Sequence, residues 1–243
     1  MTDARQIIYH GCVSSTQSVA KKLLAPGISI GTVVVADKQE QGRGRLGRTW
    51  LSPVGGLYAS IILQADPLIS LRAGIAVAKG LRELGIEAKL RWPNDIMVEG
   101  KKIGGILVEV SGDFAIVGVG VNLVPVPLES ATCVEEETRV HVTRDRLLEL
   151  ILQWMEPSLP EEVAREYKAL SATIGHVVSV GDKRGKLVGK AIGIDDAGRL
   201  LVDSAGVVHV ISSGDCSNLT QEDRNNQSPT SNVQRRRSKD SNQ

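Results

Sequence analysis

Gly42-Arg43-Gly44-Arg45-Leu46-Gly47-Arg48 follows the apolar run Thr32-Val33-Val34-Val35-Ala36 and a polar stretch, Asp37 to Gln41. Three glycines and three arginines in seven residues make a poor core segment. Glycine opens φ > 0 and lets a ligand approach main-chain N–H groups, while the arginine fork matches carboxylate and phosphate oxygens. The stretch reads as an anion-binding loop. Its glycines also spell G-x-G-x-x-G after a strand, the fingerprint of dinucleotide-binding folds. That fingerprint requires a helix to begin inside it, and here Pro53, Gly55 and Gly56 follow at once without helical periodicity. A doubly wound fold is rejected on that ground, together with the glycine loop of kinases. Gly185 to Ala191, the nearest approach to a P-loop, has the wrong spacing and lacks the hydroxyl residue.

Upstream of the loop, the pattern predicts a short strand at Ile7–Tyr9 and a polar turn, Gly11 to Gln17, leading into a helix that Pro26-Gly27 stops. Ser29–Asp37 is predicted as the strand that delivers the loop, and Leu57–Leu63 as the next. Ser70 then caps a helix carrying Leu71, Ile75, Ala78, Leu81 and Leu84, with Gly85 as its stop. Ala88–Arg91, Ile96–Val98, Ile103–Val110 and Ala115–Val121 are short-linked runs with turns at Glu99-Gly100 and Ser111-Gly112-Asp113. They predict an antiparallel meander, hence an α+β domain with a mixed or largely antiparallel sheet. Glu135-Glu136-Glu137 is a solvated face. Thr143 caps a helix with Leu147, Leu150, Ile151 and Trp154, the last expected in the core, and a second helix follows Pro157 around Val163–Leu170. From Ile174 the grammar becomes short strands, Val177–Val180, Leu187–Ile194, Leu200–Asp203 and Val207–Ile211, which predict a small β-barrel of about 45 residues. Residues 221–243 are polar with one large apolar residue, Val233, and are expected to be disordered; Arg235-Arg236-Arg237 is read there as a solvated tail.

The 243 residues suffice for one substantial core and a small appended domain. Net charge is +1, and the chain without residues 221–243 carries 24 basic and 25 acidic side chains, so no general nucleic-acid or membrane surface is expected. Cys12, Cys133 and Cys216 are scattered without ligand spacing, which argues for a reducing compartment. With no apolar signal core at the start, the expected location is cytoplasmic. His10, His141, His176 and His209 are dispersed, so a built-in metal cluster is not expected.

A second dense stretch, Arg91-Trp92-Pro93-Asn94-Asp95-Ile96-Met97-Val98-Glu99-Gly100-Lys101-Lys102-Ile103-Gly104-Gly105-Ile106-Leu107-Val108-Glu109, lies some forty residues on. Alone, either stretch has a plain explanation: a solvent-exposed basic turn, or a hairpin with lysines and turn-forming Asn94-Asp95. Together, at this spacing, they resemble the two signature segments of biotin protein ligases. The resemblance implies a class II synthetase-like catalytic domain over residues 1–172 and an SH3-like C-terminal domain over 173–220. It implies ATP-dependent activation of biotin to biotinyl-5'-AMP, then transfer to a lysine of a biotin carboxyl carrier protein or domain, as in acetyl-CoA carboxylase. Only about forty residues precede the arginine loop, so no DNA-binding module and no repressor function are expected. The expected partners exclude nucleic acid and membranes, and the chain is expected to act as a monomer or homodimer.

The same resemblance assigns roles by position. Ser15, Thr16 and Gln17 fall where the family contacts the biotin head, although Ser14 replaces its usual aspartate and Gln17 its usual asparagine. Gln41 likewise replaces an alanine. Gln39, Arg43, Gly44, Arg45 and Lys102 are implied at biotin and its activated carboxyl, with Arg48 toward the phosphates. Arg45, Lys102 and Arg48 are the catalytic candidates. Trp50 is implied against the adenine, Asn122 near the adenylate, and Asn94 and Asp95 near ribose, phosphate or metal. Asp95 is the Mg2+ candidate, since a single carboxylate suits an ion that keeps its waters and borrows phosphate oxygens. The loop arginines have no counter-ions nearby in sequence, so the loop is expected to stay mobile until ligand arrives.

Overall fold

The computed structural model describes residues 5–24, 27–155, 158–182 and 185–219. Pro26 and Pro157, expected to stop helices, and the tail from residue 221 lie outside the described residues.

Seven strands form the main sheet: β1 (Ile7–Val13), β2 (Val33–Gln39), β3 (Leu57–Gln64), β4 (Lys89–Arg91), β5 (Asp95–Val98), β6 (Lys101–Ser111) and β7 (Phe114–Val121). Their order is β1-β2-β3-β7-β6-β5-β4. Only β1 and β2 run parallel, and every other pairing is antiparallel. The predicted α+β class with a largely antiparallel sheet is what the structure has. Leu57 to Ile62 of β3 are all buried because helices cover both faces, which is why the run shows no polar alternation. Helix α1 (Thr16–Leu23) packs Ala20 onto Val34, Ile62 and Ile116, whereas Val33, Val35 and Ile61 face the larger core under α2 (Ile69–Glu83). Successive residues of β2 thus serve opposite cores, each full burial of such a side chain contributing about 1.5 to 3 kcal/mol.

Some boundaries differ from expectation: β1 runs on to Val13, into the stretch expected as a polar turn from Gly11, because it pairs with β2 as far as Gln39. β2 starts at Val33, after a turn in which Thr32 is bonded back to Ser29. The α2 N-cap is Leu68, not Ser70, and no side chain caps the first turn; Asp66 Oδ1 instead accepts the N–H of Leu68 itself at 2.7 Å and fixes the chain's entry to the helix. Thr143, by contrast, caps α4 (Arg144–Trp154) as predicted, accepting from Arg146 N–H at 3.2 Å. Trp154, expected in the core, is 40% exposed. It closes the last turn of α4, where Glu83 accepts its indole N–H and the Lys79 ammonium lies 4.3 Å from the ring centroid. Helices α3 (Val134–Glu137) and α5 (Pro160–Leu170) complete the layer; the glutamates of α3, expected as a solvated face, are partly engaged because Thr132 Oγ1 lies 2.5 Å from Glu137 Oε1, to which it donates, and 3.1 Å from Glu136 Oε2.

The C-terminal strands are β8 (Val177–Asp182), β9 (Gly185–Ile194), β10 (Leu200–Ser204), β11 (Val207–Ile211) and β12 (Asp215–Asn218), in the order β11-β10-β9-β8-β12. The last was not predicted, and β11 and β12 leave the small antiparallel sheet open rather than pairing to close a barrel. Its buried residues Val178, Ala191, Leu200 and Val202 belong to the same core as α2. The Trp92 indole N–H donates to Gly198 O at 3.1 Å, and Gly198, at φ 75°, sits so close to Leu71 that a Cβ would lie 2.9 Å from it.

Candidate active site

The meander places the second dense segment against the arginine loop. Glu99 and Gly100, both at positive φ (46° and 84°), make the two-residue turn between β5 and β6. A register shift between Ile96 and Met97 follows, and Lys102 comes back over Asp95 with its Nζ 2.5 Å from Oδ1. Arg91 holds the other oxygen of Asp95 at 2.7 Å. Burial raises the Asp95 pKa, but the two cations outweigh it and hold the carboxyl below the usual range.

The loop itself is a small closed hairpin. Gly44 N–H donates to Arg48 O at 2.7 Å and Trp50 N–H to Gly42 O at 2.9 Å. Gly42 is obligatory here, since a Cβ would lie 2.3 Å from Trp50 O. The arginines that lacked neighbours of opposite charge in sequence find them across the fold: Arg43 pairs with Glu109 at 3.1 Å, and Arg48 with Asp215 of β12. That removes the reason for expecting a mobile loop. Arg45 differs, because among the described residues its side chain meets only the neutral Asn94 Oδ1, at 3.0 Å. Burial lowers its pKa, against the pull of Asp215 and Asp95. Of the three loop arginines it is the one without a paired carboxylate among the described residues.

Loop, meander and the start of α1 enclose a cavity of about 330 Å³. Every candidate residue from the sequence lines it except Asn122. Asn122 is buried in an adjoining recess of about 150 Å³ that shares Thr49, Trp50 and Lys102 as walls, with its amide donating to Thr132 O at 3.1 Å. Trp50 stands between the two spaces on a glycine platform, where a Cβ at Gly120 would lie 2.7 Å from the indole. Ser15 occupies the N-cap position of α1 yet makes no capping bond. Its Oγ and Trp50 Nε1 are buried with no hydrogen-bond partner among the described residues, which is costly unless a ligand supplies one.

Residues 9–122 match the biotin/lipoate A/B protein ligase family, and residues 173–218 the biotin protein ligase C-terminal domain. The biotin–[acetyl-CoA-carboxylase] ligase of Mycobacterium tuberculosis is 35% identical over 85% of this chain and 88% of its own length. The bifunctional ligase/repressor BirA of Bacillus subtilis is 33% identical over 87% of this chain and 73% of its own. The chain belongs to the biotin protein ligase family. A solved biotin protein ligase from Aquifex aeolicus, in complex with biotin and ATP, superposes with a TM-score of 0.75 at 32% identity, covering 87% of this chain and 97% of that one.

For a biotin protein ligase, the cavity contains three groups that sequence patterns did not single out. Asp215, Cys216 and Ser217 of β12 line it, and burial pushes the Cys216 thiol up to about 12, keeping it protonated. Glu109 anchors the loop from β6. Nothing in a four-residue strand, or in one glutamate of an apolar run, announces either role. The Mg2+ expectation for Asp95 does not fit this donor set: both of its oxygens are engaged by Lys102 and Arg91. Among the described residues no group of three or more His, Cys, Asp or Glu side chains gathers. As folded, Asp95 orders two cations rather than offering a free ligand oxygen.

Proposed function

We infer that this chain activates biotin with ATP and attaches it to a carrier-protein lysine, the activity of a biotin–[acetyl-CoA-carboxylase] ligase. The observation that carries it is the single cavity in which hydroxyl residues at the head of α1, three arginines and Lys102 converge. A carboxylate does not acylate an amine unaided. One of its oxygens attacks the α-phosphorus of ATP, pyrophosphate leaves, and biotinyl-5'-AMP forms. The acceptor lysine's amine then attacks the acyl carbon, AMP departs, and an amide remains with one proton released.

In this reading Ser15, Thr16 and Gln17 hold the ring system of biotin, and Gln39, Gly44 and Arg43 the chain leading to the carboxylate. Arg45 and Lys102 meet the carboxylate and the α-phosphate, where charge moves during both steps, and Arg48 exchanges Asp215 for phosphate oxygens. Positioned donors of this kind are each worth on the order of 3 kcal/mol. Trp50 supplies a face for the adenine, with Asn122 in the recess beyond and Asn94 near the ribose. Mg2+ enters with the nucleotide as part of the substrate, held by phosphate oxygens and water. We further propose residues 1–172 as the catalytic domain and 173–220 as a C-terminal domain that completes its wall, with a biotin carboxyl carrier domain as acceptor.

Incubation with biotin, Mg-ATP and a biotin carboxyl carrier domain, followed by intact mass, tests the whole reaction. One biotinyl group on the carrier, lost when the acceptor lysine becomes arginine, is expected; an unmodified carrier beside folded enzyme would contradict it.

A further inference from the structure

Behind Thr16 lies a hydrogen-bond chain whose central member, Ser60, has no ligand-facing role. Ser60, in the middle of β3, is fully buried. Its Oγ lies 2.8 Å from Thr16 Oγ1 and 2.9 Å from Gln17 Oε1. A hydroxyl has one hydrogen and can donate to only one of them. Gln17 settles the choice. Its Nε2 faces two strand carbonyls, Ile116 O at 3.3 Å and Leu107 O at 3.4 Å, so Oε1 is the end turned to Ser60. Gly118 beneath makes room for the amide in this place, since a Cβ there would stand 3.2 Å from Gln17 Cδ. Oε1 accepts, Ser60 donates to it, and Ser60 Oγ receives the Thr16 hydroxyl hydrogen. The rival acceptor for that hydrogen, Gln39 Oε1, is farther at 3.2 Å and already takes the Thr16 main-chain N–H at 2.9 Å. Gln39 is itself oriented by Nε2 donating to Ser52 Oγ at 2.9 Å.

Thr16 lines the cavity, and its hydrogen is committed behind it. Toward the ligand it therefore presents lone pairs only. We propose that Ser60 is a positioning residue for substrate selection: through Gln17 and Ser60 the fold fixes Thr16 as a pure acceptor, which selects a ring N–H on the ligand. Ser15 Oγ, buried without a partner, keeps its hydrogen for a ligand carbonyl. A cyclic urea, with N–H beside C=O, matches both. The inference rests on the reading that the ring system of biotin occupies this end of the cavity.

The test compares wild type with Ser60→Ala, measuring KM and kcat of pyrophosphate exchange on biotin and on the two cyclic carbamates in which one ring N–H is replaced by oxygen. Wild type is expected to prefer biotin at least tenfold over one of them, about what a hydrogen bond of 1.4 kcal/mol confers. In Ser60→Ala the Thr16 hydroxyl keeps only the longer, 3.2 Å contact to Gln39 Oε1, which already accepts the Thr16 N–H, and can turn to the ring oxygen, so that preference falls about tenfold, through KM with kcat held. Ser60→Cys, close to serine in size but a much weaker hydrogen-bonding group, is expected to erode the same preference, which keeps the test open if Ser60→Ala fails to fold. An unchanged biotin-to-carbamate ratio in the folded variants would overturn the proposal. Absence of biotin-dependent exchange in the wild type would instead remove the functional reading on which it stands.

Discussion

Asp95 carries the balance of charge at the cavity. Lys102 and Arg91 share its two oxygens, and its side chain is only 19% exposed, so solvent screens the pairs weakly. Its folded pKa lies below the ordinary aspartate value of 3.8. The stability it contributes is therefore fully present above pH 3.8 and is lost as pH falls through the lower folded value. Asp95→Asn is expected to cost about 2 kcal/mol near neutral pH, since two cations then face each other unpaired. The gap in Tm between wild type and variant should close as the buffer is taken from pH 7 toward pH 3. A gap that stays constant with pH would mean that the carboxylate's charge is not what matters. Asn94 and Asp95 were legible in the sequence by their place in a dense polar motif. Ser60 was not: inside Leu57–Leu63 it looks like one tolerated hydroxyl in a buried strand, and only its distances to Thr16 and Gln17 give it a task.

At the level of elements, Trp50 depends on β6 and β7 having no side chains beneath it. Gly120→Ala would drive a Cβ into the indole at 2.7 Å, while the strand backbone, whose φ is ordinary there, tolerates the residue. The expected result is a folded protein with displaced Trp50, a KM for ATP raised about tenfold, and altered tryptophan emission. An unchanged KM for ATP would separate Trp50 from the nucleotide. The elements themselves were legible where burial has a period. The meander and α2 follow from apolar spacing and turn glycines, because those signals are local. The cap at Leu68, the exposure of Trp154 and the existence of β12 follow from neighbours distant in sequence: Asp66 reaching forward, the end of α2 at Glu83, and the β8 edge that pairs Asp215 to Asn218. Composition carries no trace of such contacts.

Across the whole molecule, the small sheet reaches the wall of the cavity through Asp215. Its pair with Arg48 is 63% and 51% exposed, so it is worth little to stability, about 0 to 1 kcal/mol. On the proposed role of Arg48, a triphosphate displaces Asp215 from it without unfolding the interface that Trp92, Gly198 and Leu71 form. Asp215→Asn is accordingly expected to leave Tm nearly unchanged in thermal melts; a loss of several degrees would show that the pair holds the two sheets together. Among the described residues no helix is long and apolar enough to cross a membrane. The central claim, that the arginine loop and Lys102 activate a biotin carboxylate on ATP, is tested most directly by exchange of labelled pyrophosphate into ATP with biotin, lipoate or octanoate as the acid. Exchange with biotin alone, abolished in Lys102→Ala, is the predicted result; exchange with lipoate or octanoate instead, or none with any acid from folded protein, would contradict it.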